Sequence, residues 1–193
     1  MTSVATPSEL FSRRDEPARD LARQAGAVAE ACHAMAVRFH RGGKLITFGT
    51  GGASADAQHV SVEFVHPVIV GKRALPAICL TADVATITGI AEREGVGEVF
   101  AHQIRALARP DDIALGIGDS AGVRGGLAAA RELGLLTVAL TGPDSDGNGA
   151  GTADHTLTAA SGDPRVVKEI HVTMYHVLWE LVHVFFEQPG VLA

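Results

Sequence analysis

Rings, sulfur and clustered positive charge are all scarce in this chain. Aromatic residues fill 5% of its 193 positions, so the interior must be built from Ala, Val, Leu and Ile, the usual filling of an α/β domain. Apolar residues reach 47%, and the length suits one domain with a sizeable core. The two cysteines, Cys32 and Cys79, stand far apart in apolar contexts and read as reduced, buried thiols. No run of Lys or Arg forms a basic stripe, and a formal net charge of −6 argues against a nucleic-acid partner. No apolar stretch approaches the length of a membrane span, and the polar N-terminus does not read as a secretory signal. A cytoplasmic protein without membrane contact is expected.

What is present is an alternation of strand and helix signals. A helix is predicted over about 8–41, with Leu21, Ala25, Val28, Cys32, Met35 and Phe39 on one face, a break or restart near Pro17, and a stop at Gly42-Gly43. Strands are predicted at "KLITFG" (44–49), "LPAICLT" (75–81), "DIALGIG" (112–118) and "LTVALTG" (136–142), with a short edge strand at "DHTLTA" (154–159). Helices are predicted over about 54–64, 83–94, 96–108 and 122–133, and "PDSDGNGAG" (143–151) reads as a loop. A long helix over about 165–187 closes the chain. Its core stripe is read as Val166, Ile170, Thr173, Met174, Val177, Leu181 and Phe185, with Val172, Trp179, Val182 and Phe186 adding apolar surface on the other sides. Such a helix is expected to pack against partner subunits, with the N-terminal helix beside it. No repeat, low-complexity tract or linker divides residues 1–193, so one domain is expected. Its architecture is a three-layer αβα fold, doubly wound around a mostly parallel sheet of about five strands.

Ligands of open α/β sheets sit beyond the carboxyl ends of the strands. Two strand ends here run through glycine-rich turns into helices: "GTGGASAD" (49–56) and "GIGDSAGV" (116–123). Such turns let backbone amides approach an anion, and they also serve plain turn geometry. Neither carries the Gly-Lys-Ser/Thr of a P-loop or the spaced glycines of a dinucleotide fold, so no nucleotide cofactor is expected. His59 and Glu63, at i and i+4, share one helix face a turn beyond the first loop. An imidazole and a carboxylate so placed suit zinc binding or acid–base work, and equally a surface ion pair. His176 lies on the otherwise apolar last helix, as a core residue or a further functional group. His66, His102, His155, His171 and His183 have no comparable context.

The phrases "GKLITFGTGGASADAQH", "LPAICLTADVATITGIA", "GEVFAHQIRALARPDD", "AARELGLLTVALTG" and "KEIHVTMYH", in that order, resemble the sugar isomerase (SIS) domain and, within it, the bacterial phosphoheptose isomerases. The resemblance implies an isomerase of sedoheptulose 7-phosphate, a homotetramer with sites at subunit interfaces, and often a bound zinc. It implies that His59, Glu63 and His176 form a metal site or acid–base group, with Glu63 and His176 catalytic. Thr50, Gly51, Gly52, Ala53, Ser54 and Asp83, which has Thr81 beside it, would contact the sugar phosphate.

The chain also departs from the family. A first loop of Gly-Asn-Gly-Gly-Ser becomes Gly49-Thr50-Gly51-Gly52-Ala53, with its serine displaced to Ser54. A second loop of Ser-Thr-Ser-Gly-Asn-Ser becomes Gly118-Asp119-Ser120-Ala121-Gly122-Val123. Asp119 puts a carboxylate where a phosphate is expected, at a cost of about 1 kcal/mol at 4 Å in water and several kcal/mol when partly buried. Asp119 or Ser120 could instead cap the following helix. The family's zinc-binding glutamine falls at Lys168, which has no lone pair to offer and would either meet a phosphate or stay solvated. These departures keep two alternatives open beside the isomerase: a non-catalytic tetrameric regulator that binds a protein such as a replication initiator, and a metal-assisted enzyme acting on an uncharged or otherwise altered sugar.

Overall fold

The computed structural model describes residues 5–143, 153–188, 190 and 192. Three strands, β1 (Leu45–Gly49), β3 (Ile113–Ile117) and β4 (Leu136–Thr141), are buried along their whole length. Runs of apolar and β-branched residues buried on both faces are what the middle of a parallel sheet requires. The shorter β2 (Ala77–Cys79) and β5 (His155–Thr158) flank them, giving the order β2-β1-β3-β4-β5, parallel throughout. The switch in strand order falls between β1 and β3, where a doubly wound sheet opens a crevice.

Helices cover both faces. On one lie α3 (Ala25–His40), α4 (Gly52–Val65) and the last helix, α8 (Pro164–Glu187), joined by Leu45, Ile113, Leu115, Val138 and Leu140 of the strands. On the other lie α5 (Val84–Glu94), α6 (Val99–Leu107) and α7 (Ala121–Glu132), packed on Ile46, Phe48, Ala114 and Ala139. Small strand residues on this second face draw α7 close. A Cβ on Gly126 would come within 2.8 Å of the Phe48 ring, so the ring's bed needs glycine. The three-layer αβα expectation is met.

The N-terminal expectation needs correction. One helix over 8–41 is replaced by α1 (Pro7–Ser12), α2 (Asp15–Arg23) and α3. The interruptions fall at Arg13–Arg14 and at Gln24, and Pro17 sits in the first turn of α2, where a missing N–H costs nothing. Gln24 is partly buried, and its side-chain amide pairs with β5. Its nitrogen donates to the Thr158 carbonyl (2.8 Å), and its oxygen accepts from the Thr158 N–H (3.2 Å).

The buried stripe of α8 is also displaced from the expected one. Trp179 and Val182 belong to the core, whereas Thr173 is exposed and Val177, Leu181 and Phe185 are half-buried. Polar His171, Tyr175 and His183 are buried instead. Hydrophobic periodicity alone misses this, because each finds a partner in the fold: His171 the Thr141 carbonyl, Tyr175 the His59 ring, and His183 the Trp179 and Arg73 carbonyls. Strand β2 is shorter than the predicted 75–81, since only Ala77–Cys79 pair with β1. The loop expected at 143–151 lies outside the described residues from 144 onward. Cys32 is buried as expected, its thiol pushed up to about 12 by desolvation, while Cys79 is partly accessible; both are free thiols. Among the described residues, no helix is long and apolar enough to cross a membrane.

Candidate active site

Helices α4 and α8 run in the same sense, and polar pairs link them along the seam. Lys168 meets Asp56, Tyr175 and His176 meet His59, and the Trp179 indole donates to the Glu63 carbonyl at 2.8 Å. This seam gathers the predicted trio. His59 Nε2 lies 3.1 Å from Glu63 Oε1 and 3.4 Å from His176 Nε2, and one ligand atom from each residue falls within 4.8 Å of the others. Glu63 is buried, His59 half-buried and His176 exposed.

The spacing tests the zinc expectation. Nitrogen and oxygen ligands about 2.0–2.2 Å from a tetrahedral zinc stand roughly 3.3–3.6 Å apart, near the two His59 separations, with the Glu63–His176 one within 4.8 Å. The donor types also fit, two imidazoles and a carboxylate. Lys168 cannot join them within one chain. It precedes His176 by eight residues on the same helix, about 12 Å along the axis, and its ammonium is committed elsewhere. It reaches both Asp56 carboxylate oxygens at 2.6 Å and the Gly52 carbonyl at 3.1 Å, three acceptors for three N–H groups. Lys168 nevertheless stays exposed, so its ammonium is both paired with Asp56 and open to solvent.

The first glycine loop lies at the other end of α4. Gly51 adopts φ +58°, which only glycine takes without strain, and no side chain caps the helix there. Thr50 donates to Ser120 (3.1 Å), tying the first loop to the second, while Ser54 turns back to the Gly51 carbonyl (2.6 Å). Gly49, Thr50, Gly51 and Ser54 line a cleft of about 340 Å³ whose far wall is apolar, including Ile87, Val96 and Phe100.

The second loop is different. Ser120 caps α7 by accepting from the Val123 N–H (3.3 Å), so of the two capping candidates it is the serine. Asp119 stays exposed, its backbone carbonyl taking the Arg124 guanidinium. Its loop borders a cleft of about 480 Å³ with Ser161, Val167 and the buried His171. His171 Nε2 donates to the Thr141 carbonyl (3.0 Å), and desolvation pushes its imidazole below the ordinary histidine value. Asp83 caps α5, accepting from the Ala85 and Thr86 N–H groups and the Thr86 hydroxyl; the hydroxyl contact is the main cause of its lowered pKa.

Neither of these two clefts is lined by His59, Glu63 or His176. The trio converges as expected along the seam between α4 and α8, from the buried Glu63 to the exposed His176. Sequence reasoning missed Asp56 and Tyr175. Asp56 was within reach, since positions 56, 59 and 63 share one helical face. Tyr175, whose hydroxyl lies 3.0 Å from His59 Nδ1, is off the stripe that apolar periodicity marked out. Burial, followed by the nearby charges of Asp56 and Glu63, pushes its phenol up to about 12, so the hydroxyl keeps its proton.

Comparison with known proteins bears on the fold and the family. The SIS domain family model matches residues 16–142. A phosphoheptose isomerase of Desulfovibrio desulfuricans is 38% identical over 89% of this chain and 83% of its own length. One from Roseiflexus sp. is 37% identical over 92% and 95%. The structure of a phosphoheptose isomerase from Francisella tularensis superposes with a TM-score of 0.88 at 30% identity, covering 95% of this chain and all of the other. On these grounds the chain belongs to the SIS-domain family, among its phosphoheptose isomerases.

Proposed function

We propose that the protein is a sugar-phosphate isomerase of the phosphoheptose type, exchanging ketose and aldose by proton transfer between C1 and C2 through an enediol. The observation that carries this reading is the meeting of Glu63, His59 and His176 at hydrogen-bonding distances on one seam. Glu63 takes the carbon-bound proton, its Oε1 oriented by the His59 ring, and His176 serves the substrate oxygens and the return of the proton. In the alternative role for the same three residues, His59, Glu63 and His176 would hold a zinc ion that supplies Lewis-acid polarisation of the carbonyl, Glu63 then serving as ligand in place of base. The uncapped start of α4 lies about 10 Å from His59 along the helix axis, a span that an extended seven-carbon chain can bridge. Thr50, Gly51, Gly52, Ala53 and Ser54 would then receive the phosphate, with Asp83, Asp119 and Ser120 around the remaining sugar and Lys168 holding the loop wall.

The exposed face of α4 and the segment after it carry Val62, Val65, Val68, Ile69 and Val70, all open to solvent in the single chain. A homotetramer would bury this apolar surface and could cover the exposed His176.

Replacing Glu63 by Gln keeps the shape and removes the base. Isomerisation of sedoheptulose 7-phosphate should fall at least about 10²-fold with an unchanged melting temperature. Absence of turnover by the unmodified protein, with and without zinc, would remove the assignment. A second reading, a non-catalytic regulator, draws on the second loop, where Ser120 fills the start of α7 and Asp119 faces the cleft. It requires a stably recovered protein partner together with no turnover.

A further inference from the structure

A neutral imidazole has one N–H and one lone pair, and the partner at one nitrogen decides the chemistry of the other. His59 Nε2 faces an acceptor, Glu63 Oε1, and a second imidazole nitrogen, His176 Nε2. Its Nδ1 faces the Tyr175 hydroxyl. A carboxylate or carbonyl at that place would fix the proton on Nδ1, and an ammonium would fix the lone pair there. A hydroxyl does neither, because turning its O–H lets it donate or accept. The phenol ring itself is held fast. Tyr175 is 1% exposed and lies edge-on to His59 and His176, with centroids 5.2 Å and 4.9 Å away. Its oxygen stays in place while the hydrogen swings.

We propose that Tyr175 is a positioning residue that lets His59 change tautomer without moving its ring. In one state the hydroxyl donates to Nδ1 and Nε2–H points at Glu63. In the other it accepts from Nδ1–H, freeing the Nε2 lone pair for a divalent cation between His59, Glu63 and His176. The proposal rests on reading those three residues as a metal-holding group. Loss of the hydroxyl is felt unequally by the two states. With the cation bound, Nδ1–H would face a bare phenyl edge, a donor deprived of its partner. Without the cation, only a weak acceptor goes unmet. The hydroxyl therefore strengthens cation binding more than it strengthens the fold.

The test uses Tyr175→Phe, which keeps the ring packing, together with the unmodified protein. Zinc affinity, measured by competition with a chromophoric chelator, should weaken about 10- to 100-fold in the variant. In the unmodified protein, ¹⁵N spectra of the His59 ring should place the proton on Nε2 without zinc and on Nδ1 with it. Equal zinc affinity in the variant, or a His59 proton that stays on Nε2 when zinc is bound, overturns the proposal. The ¹⁵N measurement decides alone if the variant does not fold. Turnover without zinc uptake leaves the isomerase standing and removes the switch. Zinc uptake with the tautomer change but no turnover removes the isomerase and leaves the switch.

Discussion

Burial decides the charge of His171. Its single donated bond, to the Thr141 carbonyl, needs only a neutral ring, and desolvation opposes a second proton. In the unfolded chain the same histidine titrates near pH 6.5. Below that pH the unfolded state binds the proton that the folded state resists, so stability is complete above about pH 6.5 and declines as pH falls. His171→Gln keeps a donor for Thr141 and cannot titrate. Its melting temperature should therefore depend less steeply on pH between about 5 and 6.5 than that of the parent; equal slopes in thermal scans would refute the assignment. Lys168 teaches a related lesson. Its type and position suggested a phosphate contact or a solvated charge, and Asp56, nearly one turn before His59, also takes up two of its three donors. Pairing of this kind depends on how two helices are placed in space, which a linear reading does not contain.

At the scale of elements, the strands were legible because buried parallel strands are short, continuous apolar runs. The site was half legible. His59 and Glu63 announce themselves by helical spacing, and His176 is a histidine among apolar neighbours. Tyr175 looked like one more large residue, since its role exists only once α4 lies alongside. Where helices end was poorly legible, because Gln24 breaks the N-terminal helix for the sake of a strand distant in sequence. Glycine also works at this scale. A Cβ on Gly49 would stand 2.7 Å from the Ala53 carbonyl oxygen, inside the turn that starts α4. Gly49→Ala should cost about 1–3 kcal/mol in urea unfolding and raise KM by shifting the first loop. Gly26, with nothing within 4 Å of its Cβ position, is the control: Gly26→Ala should gain about 0.5–1 kcal/mol.

For the whole molecule, the chain carries both a seam with an exposed His176 and an exposed apolar surface at Val62, Val65, Val68, Ile69 and Val70. If assembly encloses that seam, native mass and activity should change together. Sedimentation should find four chains per particle, and Val62→Glu combined with Val68→Glu should yield smaller particles with little turnover. Full activity in a dispersed variant would separate catalysis from assembly. The opposite border of the sheet has a different fate. There the Gln24 amide occupies both backbone groups of Thr158, as a neighbouring strand would. A foreign strand seeking to extend the sheet from β5 finds the backbone groups of Thr158 already taken, so at that residue the border resists fibril-like growth, while the valine-rich face remains free to join subunits.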